Sequence, residues 1–472
     1  MLRPWEFQIV IHTDGAKAVY LQIADAIIEA IKGGKLQSNN ALPGSRLLAS
    51  QLKVNRNTVI QALDILLAEG WLISRERKGT FVSDTLPNIK TGITKAGSIT
   101  VSEGESGKPA RIVFDDGLPD SRLAPINELA RAYRQIFSRK GRWQMMGYSS
   151  ESGDIEFRNA IVQMLNFKRG MQLAVNNVFI TRGSQMAMYL TAKSLFERGD
   201  DVVVENPGYQ PAWETLKNAG ANLIPIAVDA EGLNIAMLKA TLNTNPNIKA
   251  VYITPHHQFP TTVTLSLARR LELVALSNRF GFTIIEDDYD NEFHFGQRPV
   301  MPVCSLGNIE NYVYIGTMSK IVAPALRIGY LATDAKNIEK ISKLRKMIDV
   351  QGDNIMEQAV LQLINDGEIK RHLKRATAKY RNKRDFFEKL IITHLQEKVN
   401  YVKPEGGLAF WLVPKKATNL SKLAADLAKQ GIQIMPPDKF GSDIPVQGLR
   451  LGYASLSEKQ LEEGIMAIAA LL

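Results

Sequence analysis

The sequence predicts an α/β protein in two parts: a small helical head closed by a β-hairpin, and a large domain built on a mostly parallel sheet. Three observations predict it. Apolar residues recur at helical spacing through about the first 80 positions. No aromatic residue occurs between Phe81 and Phe114. Beyond that gap, short β-rich runs alternate with helical stretches, the pattern of βα units. The 472 residues carry 45% hydrophobic and 22% charged side chains, the balance of a folded globular chain of more than one domain.

In the head, Tyr20, Ile23, Ala24, Ile27, Ile28 and Ile31 line one helical face, and Gly33-Gly34 ends it. A second helix carries Leu48 and Leu52, with Ser45 as the expected N-cap. A third starts near Asn55, carries Val59, Ala62, Leu63 and Leu66, and stops at Gly70. Strands at Trp71 to Ser74 and Thr80 to Ser83 flank the turn Glu76-Arg77-Lys78-Gly79. Three helices and a basic-tipped hairpin make a winged helix-turn-helix, expected over 13–83. The first turn of the third helix presents Arg56, Asn57 and Thr58, with Gln61 one turn on. These side chains suit base edges and phosphates when a helix enters the major groove. Arg46 and Lys78-Gly79 would add backbone contacts. Taken singly, these charges are equally well explained as solvated surface groups.

Residues 84–111 are rich in Gly, Ser, Thr and Lys and read as a flexible linker with an r.m.s. span of about 25–30 Å. The domain beyond it, 112–472, divides into a large part at about 150–335 and a small α+β lobe at about 336–472. Its expected strands are Val178 to Thr181, Val202 to Val204, Val251 to Thr254, Phe282 to Ile285 and Val313 to Ile315. The small lobe adds Gly406 to Val413 and Leu449 to Tyr453. The single cysteine, Cys304, excludes an internal disulfide framework and fits a reducing compartment. No run of 18 apolar residues appears, and Met1 to Val10 contains Glu6 and lacks an apolar signal core. The expectation is a cytoplasmic protein with no membrane segment and no metal site. A formal charge of +10 permits nucleic acid as a partner without requiring it.

Two segments carry chemistry. Ile284-Ile285-Glu286-Asp287-Asp288-Tyr289 ends an apolar strand, and ligands in open α/β sheets sit beyond carboxyl ends of strands. If the strand persists, Asp287 and Tyr289 share a face. A carboxylate facing a pyridine nitrogen and a phenol beside a ring oxygen form the environment in which pyridoxal phosphate works. Acidic residues also end strands as ordinary turn residues, so this segment alone decides nothing. The second segment, Val313 to Ile315 and then Gly316-Thr317-Met318-Ser319-Lys320, continues to Pro324 and Arg327. It combines a Schiff-base amine with a phosphate clamp. Gly183-Ser184-Gln185 opens a helix whose N-terminus suits a phosphate.

The ordered pieces Leu42-Pro43-Gly44-Ser45-Arg46, Leu52 to Val59, Ala68 to Leu72 and Arg77 to Val82 resemble the GntR-type DNA-binding domain over roughly residues 15–83. The remainder, roughly 112–472, resembles the fold-type I aminotransferases, and the whole chain resembles MocR/GabR-type transcriptional regulators. The resemblance implies pyridoxal 5'-phosphate as cofactor, with Lys320 forming the internal aldimine, Asp287 at the ring nitrogen and Tyr289 at the phenolic oxygen. It implies phosphate contacts from Ser184, Gln185, Thr317, Ser319 and Arg327, and ring stacking by Tyr209 of Asn206-Pro207-Gly208-Tyr209. It implies that Tyr148, five residues before Gly153, reaches the partner subunit's phosphate, and that Arg450 pairs with an effector carboxylate. The implied partners are operator DNA with paired half-sites, a second copy in a homodimer, and an amino acid or amine effector sensed by aldimine exchange at Lys320. The alternative is an active aminotransferase with an auxiliary DNA-binding head. The sequence departs from the aminotransferase pattern in Thr254 to Thr262: Phe259 falls where asparagine is frequent and Thr262 where glycine is usual. His257 and Gln258 are the nearby candidates for the lost ring-oxygen contact.

Overall fold

A computed structural model describes residues 17–75, 78–84, 110–138, 142–290, 292–296, 300–307, 309–441 and 446–472, with Ile9 and Ile11. Two compact units divide at Gly104 and Glu105. The expected linker lies almost wholly outside the described residues, as do Glu76 and Arg77 of the hairpin turn and positions 13–16.

In the first unit, α1 (Val19–Lys32), α2 (Ser45–Leu52) and α3 (Arg56–Ala68) enclose a core that includes Ile23, Ile27, Leu48, Val59, Ala62 and Leu66. The i, i+4 spacing of these residues puts them on the inner faces of their helices. Strand β1 (Leu72–Arg75) pairs antiparallel with β2 (Gly79–Val82) to make the wing. Asn55 caps α3, its side chain accepting from Asn57 N at 2.9 Å. The cap of α2 differs from expectation. Gly44 holds the cap position without a side-chain bond, and Ser45 opens the helix, because its hydroxyl instead accepts from Arg56 Nε at 3.4 Å.

The second unit begins with β3 (Ile112–Val113), α4 (Ile126–Ser138) and α5 (Ile155–Arg169). The large part then follows as β4 (Val178–Thr181), α6 (Ser184–Leu195), β5 (Asp201–Asn206), α7 (Gln210–Ala219), β6 (Asn222–Asp229) and β7 (Gly232–Leu233). It continues through α8 (Ile235–Thr244), β8 (Ala250–Ile253), α9 (Leu267–Phe280), β9 (Thr283–Asp288), β10 (Tyr312–Thr317) and β11 (Gly329–Ala332). These strands form one sheet in the order β4-β11-β10-β9-β8-β5-β6-β7. The five from β10 to β6 are parallel; β11 runs antiparallel to both its neighbours. The β-branched centres of β5, β8 and β9 are buried on both faces, as a helix-covered parallel sheet requires.

After the sheet come α10 (Ala335–Ile348) and α11 (Asn354–Asn365), whose Ile338, Ile341, Ala359 and Val360 pack into the cores of the large part, and then a smaller lobe of α12 (Glu368–Leu395), β12 (Val399–Tyr401), β13 (Ala409–Pro414), α13 (Leu420–Lys429), β14 (Ile432–Gln433), β15 (Leu449–Gly452) and α14 (Glu458–Leu471). Strand β3 pairs parallel with β14, and Phe114 packs on Phe387 in the core of this lobe. The start of the second unit is thus stitched to its end, which carries Asp115 to Leu118 onto the carboxyl edge of the large sheet. Among the described residues no helix is long and apolar enough to cross a membrane.

Candidate functional site

Strands β9 and β10 lie side by side with Ile315 opposite Asp287, and both end at the same edge of the sheet. Beyond that edge is a cavity of about 170 Å³ lined by Lys320, Asp287, Tyr289, Tyr209, Ser184, Thr317, Ser319 and Arg327. Of the expected cofactor residues, only Gln185 and Tyr148 do not line it. The Gln185 amide is turned onto α7, donating to Thr215 Oγ1 at 2.6 Å and to Pro211 O at 3.2 Å. Tyr148 is 89% exposed on the surface of the unit.

Lys320 Nζ donates to Gly117 O at 2.8 Å and stands 4.5 Å from the centre of the Tyr289 ring. Asp287 Oδ2 accepts from the Tyr252 hydroxyl at 3.1 Å, while its Oδ1 is buried without a partner. Tyr252 lies opposite Ile285 across the β8–β9 pairing, on the face that Asp287 shares, so the phenol reaches one pleat further to the carboxylate. Burial pushes the Asp287 carboxyl up to about 7; the Tyr252 hydrogen bond and Lys320 pull against this and Asp288 adds to it. Such a buried carboxylate is stabilised by a cation placed against its free oxygen.

The opposite wall is made for an anion. Gly183 has φ +81 and caps α6, so the helix opens at Ser184 toward the cavity. A Cβ on Gly183 would stand 2.7 Å from Arg327 Nη2 and one on Gly329 would stand 2.6 Å from Gly183 C, so only glycines admit this approach of backbone and guanidinium. Ser319 Oγ is buried without a partner, and Ser319 N donates to Thr317 Oγ1 at 3.1 Å. The helix start, the Ser319 hydroxyl and the Arg327 guanidinium, whose Nη2 also donates to Arg182 O at 3.3 Å, together suit a phosphate.

Arg450, on β15, is 1% exposed and lies behind Tyr289. Its Nε donates to Asp116 O at 2.9 Å, Nη1 to Pro260 O at 2.8 Å and Nη2 to the Tyr289 hydroxyl at 3.2 Å, with the Phe259 ring 4.6 Å away. It ties three segments together: the residues after β3, the loop after β8, and the end of β9. Neither side chain offered for the lost ring-oxygen contact is free for it. His257 Nδ1 is 2.7 Å from Asp290 Oδ1, and Gln258 Nε2 donates to Pro207 O at 2.8 Å. Phe259 instead lines the cavity, edge-on to Tyr209 with centroids 5.1 Å apart. On the other face of β9, burial alone would raise Asp288, but His256 and Arg169 hold it well below the ordinary carboxylate range.

Sequence reasoning missed Tyr252, Asp116 and Gly117. The β-alternation of Val251 to Thr254 could have found Tyr252, since its face follows from the register of β8 on β9. Nothing local distinguishes Asp116 and Gly117, because their place depends on the long-range pairing of β3 with β14.

On the first unit, Arg46, Arg56, Asn57, Gln61, Lys78 and Gly79 are exposed and Thr58 is half-buried. The α3 N-terminus and the wing thus carry exposed basic and amide groups, as entry into a groove requires.

Residues 118–468 match the family described as aminotransferase class I and II. The chain belongs to this family. Residues 19–82 match the gntR family of bacterial regulatory proteins. Over nearly its whole length the chain is similar to the probable rhizopine catabolism regulatory protein MocR of Rhizobium meliloti, at 28% identity covering 98% of this chain and 95% of that one. The HTH-type transcriptional regulator TauR of Rhodobacter capsulatus is also 28% identical, covering 97% of each. Among solved structures, a kynurenine aminotransferase of Pyrococcus horikoshii superposes with a TM-score of 0.71 at 26% identity, covering 76% of this chain and 90% of that one. The protein is therefore a MocR-type helix-turn-helix transcriptional regulator with an aminotransferase-like domain, a fold that typically binds pyridoxal phosphate, and its head implies DNA as a partner.

Proposed function

We propose that this regulator holds pyridoxal 5'-phosphate at Lys320 and senses an amino compound by amine exchange there, changing how its heads bind operator DNA. The observation that carries this is the convergence on one cavity of the Lys320 amine, the unpartnered Asp287 oxygen, and the Ser184 helix start with Ser319 and Arg327. When bound, the cofactor supplies an aldehyde that condenses reversibly with primary amines and a ring that draws electrons. Asp287 would keep the ring nitrogen protonated, Tyr209 would stack on the ring, and Tyr289 would attend the phenolic oxygen. Ser184, Thr317, Ser319 and Arg327 take the phosphate, with Gln185 contributing only through the helix start. Lys320 would supply the amine that holds the cofactor's aldehyde, and an incoming primary amine could replace it one for one, without water or an oxidant.

Arg450 is the receptor for an effector carboxylate. A carboxylate that drew the guanidinium away from Asp116 O and Pro260 O would loosen segments of both the large part and the small lobe. An effector acts as a switch only if it favours one such arrangement over the other. Exposed Trp143, Met146, Tyr148 and Met347 support a homodimer in which Tyr148 serves the neighbouring subunit. Operator DNA is titrated with cofactor-loaded protein while amino acids are added one at a time. Affinity that ignores every one of them, with cofactor demonstrably bound, contradicts the switch. The same groups would serve a transaminase, and the chain is 25% identical to aromatic-amino-acid aminotransferase 1 of Thermococcus litoralis. Steady-state turnover with a keto-acid acceptor at roughly 1–10³ per second would favour that alternative.

A further inference from the structure

A second cavity, of about 510 Å³, adjoins the cofactor cavity, and Asp116, Tyr209 and Phe259 line both. Its walls come from the segment after β3, the start of α7 and the residues after β14. A ligand whose nitrogen replaces that of Lys320 starts beside Gly117, whose carbonyl now accepts from Lys320 Nζ. Its side chain enters the larger chamber past the residues that the two cavities share, Asp116 among them. Phe114, Ile434, Met435 and Pro436 give that chamber apolar walls suited to methylene groups. The acids on the lining are unequal. Asp115 is already bound, accepting from Gly117 N, Leu118 N and Ser455 Oγ. Glu214 is exposed and lies 3.6 Å from Lys217. Half-buried Asp116 receives no hydrogen bond on its carboxylate from any described residue, and it stands at the passage between the two cavities. Among the described residues the one cation on this lining, Lys439, is exposed on the small-lobe wall.

Resting on the sensor function proposed above, we infer that the effector is a basic amino acid, an α-amino acid whose methylene side chain ends in a cation paired with Asp116. Its α-carboxylate goes to Arg450, its α-nitrogen takes the place of Lys320, and its methylenes lie on the apolar walls. Asp116 at the threshold repels an acidic side chain and gains nothing from an apolar one.

The test uses the full-length, cofactor-loaded protein and follows its visible absorbance during titration with L-ornithine, L-lysine, L-norleucine and L-glutamate. Ornithine or lysine is expected to bind about tenfold more tightly than norleucine, which has a lysine-like chain without the charge, and glutamate more weakly still. Asp116→Asn should cut the preference for the charged chain to about twofold or less, read as the ratio of lysine to norleucine affinity in the same variant. Glu214→Gln should preserve it. Equal binding of lysine, ornithine and norleucine by the wild type, a preference for glutamate, or a preference that survives Asp116→Asn would overturn the assignment. If amino acids exchange without charge preference, the sensor survives and the ligand class falls. If none exchanges, both fall.

Discussion

Replacing Asp287 by asparagine isolates the electrostatic cost built into the cofactor cavity. Asparagine keeps the shape and can still accept from Tyr252, but it carries no charge. The wild-type carboxyl, ordinarily at 3.8, is raised to about 7, chiefly by burial. The native state holds this proton more tightly than the unfolded chain does. The contribution is therefore fully present below pH 3.8 and is lost as the pH climbs to about 7. At about 1.36 kcal/mol per pH unit the loss is about 4 kcal/mol. A domain of this size has an unfolding entropy of roughly 0.8 kcal/mol/K, so the loss is worth about 5 °C in its melting midpoint. Calorimetry of cofactor-free protein from pH 4 to pH 8 should show Asp287→Asn gaining about that much on the wild type as the pH rises. Saturating cofactor should reverse the order at pH 8, because a protonated ring nitrogen would stabilise the wild-type carboxylate and not the amide. A difference between the two proteins that stays flat across this range, without cofactor, would refute the reasoning.

Thr262, a β-branched residue at φ +63, sits in the loop whose Pro260 carbonyl holds Arg450; Thr262→Gly should raise stability by about 1 kcal/mol, read as a higher denaturation midpoint. Asn55→Ala removes the α3 cap and should cost the head about 1 kcal/mol, seen as earlier loss of its helical signal on heating the full chain. Arg56→Ala should weaken operator binding and lower the slope of log affinity against log salt by about one if the guanidinium contacts phosphate; an unchanged slope and affinity would remove Arg56 from the interface. Gly183→Ala should reduce affinity for cofactor by tenfold or more in equilibrium dialysis, since the new Cβ displaces Arg327.

Local pattern carried much of this protein. The i, i+4 spacing in α1 and α3, the β-branched run Val202-Val203-Val204 and the turn at Lys78-Gly79 each specify their element through neighbours close in sequence. Strands β6 and β11 escaped notice. The first contains Pro225 and has half-exposed positions, so it lacks the clean alternation of a strand; the second hides within the segment read for its arginine. Asp287, Tyr289 and Lys320 stood out because strand ends in an α/β sheet gather on one edge, so residues following strands meet there.

By itself the sequence determined the two-part architecture, the helix-turn-helix head and the chemistry concentrated after β9 and β10, all of it information held within short stretches of chain. Tertiary structure alone decided which side chains were already spent and which were left over. Pairing of β3 with β14 brought Asp116 and Gly117 to the cavity from hundreds of residues away. The register of β8 on β9 gave Asp287 its phenol, and folding bound the Arg450 guanidinium to two backbone carbonyls and a hydroxyl. A hydrogen bond is a relation between two groups in space, so its presence cannot be read from either residue alone.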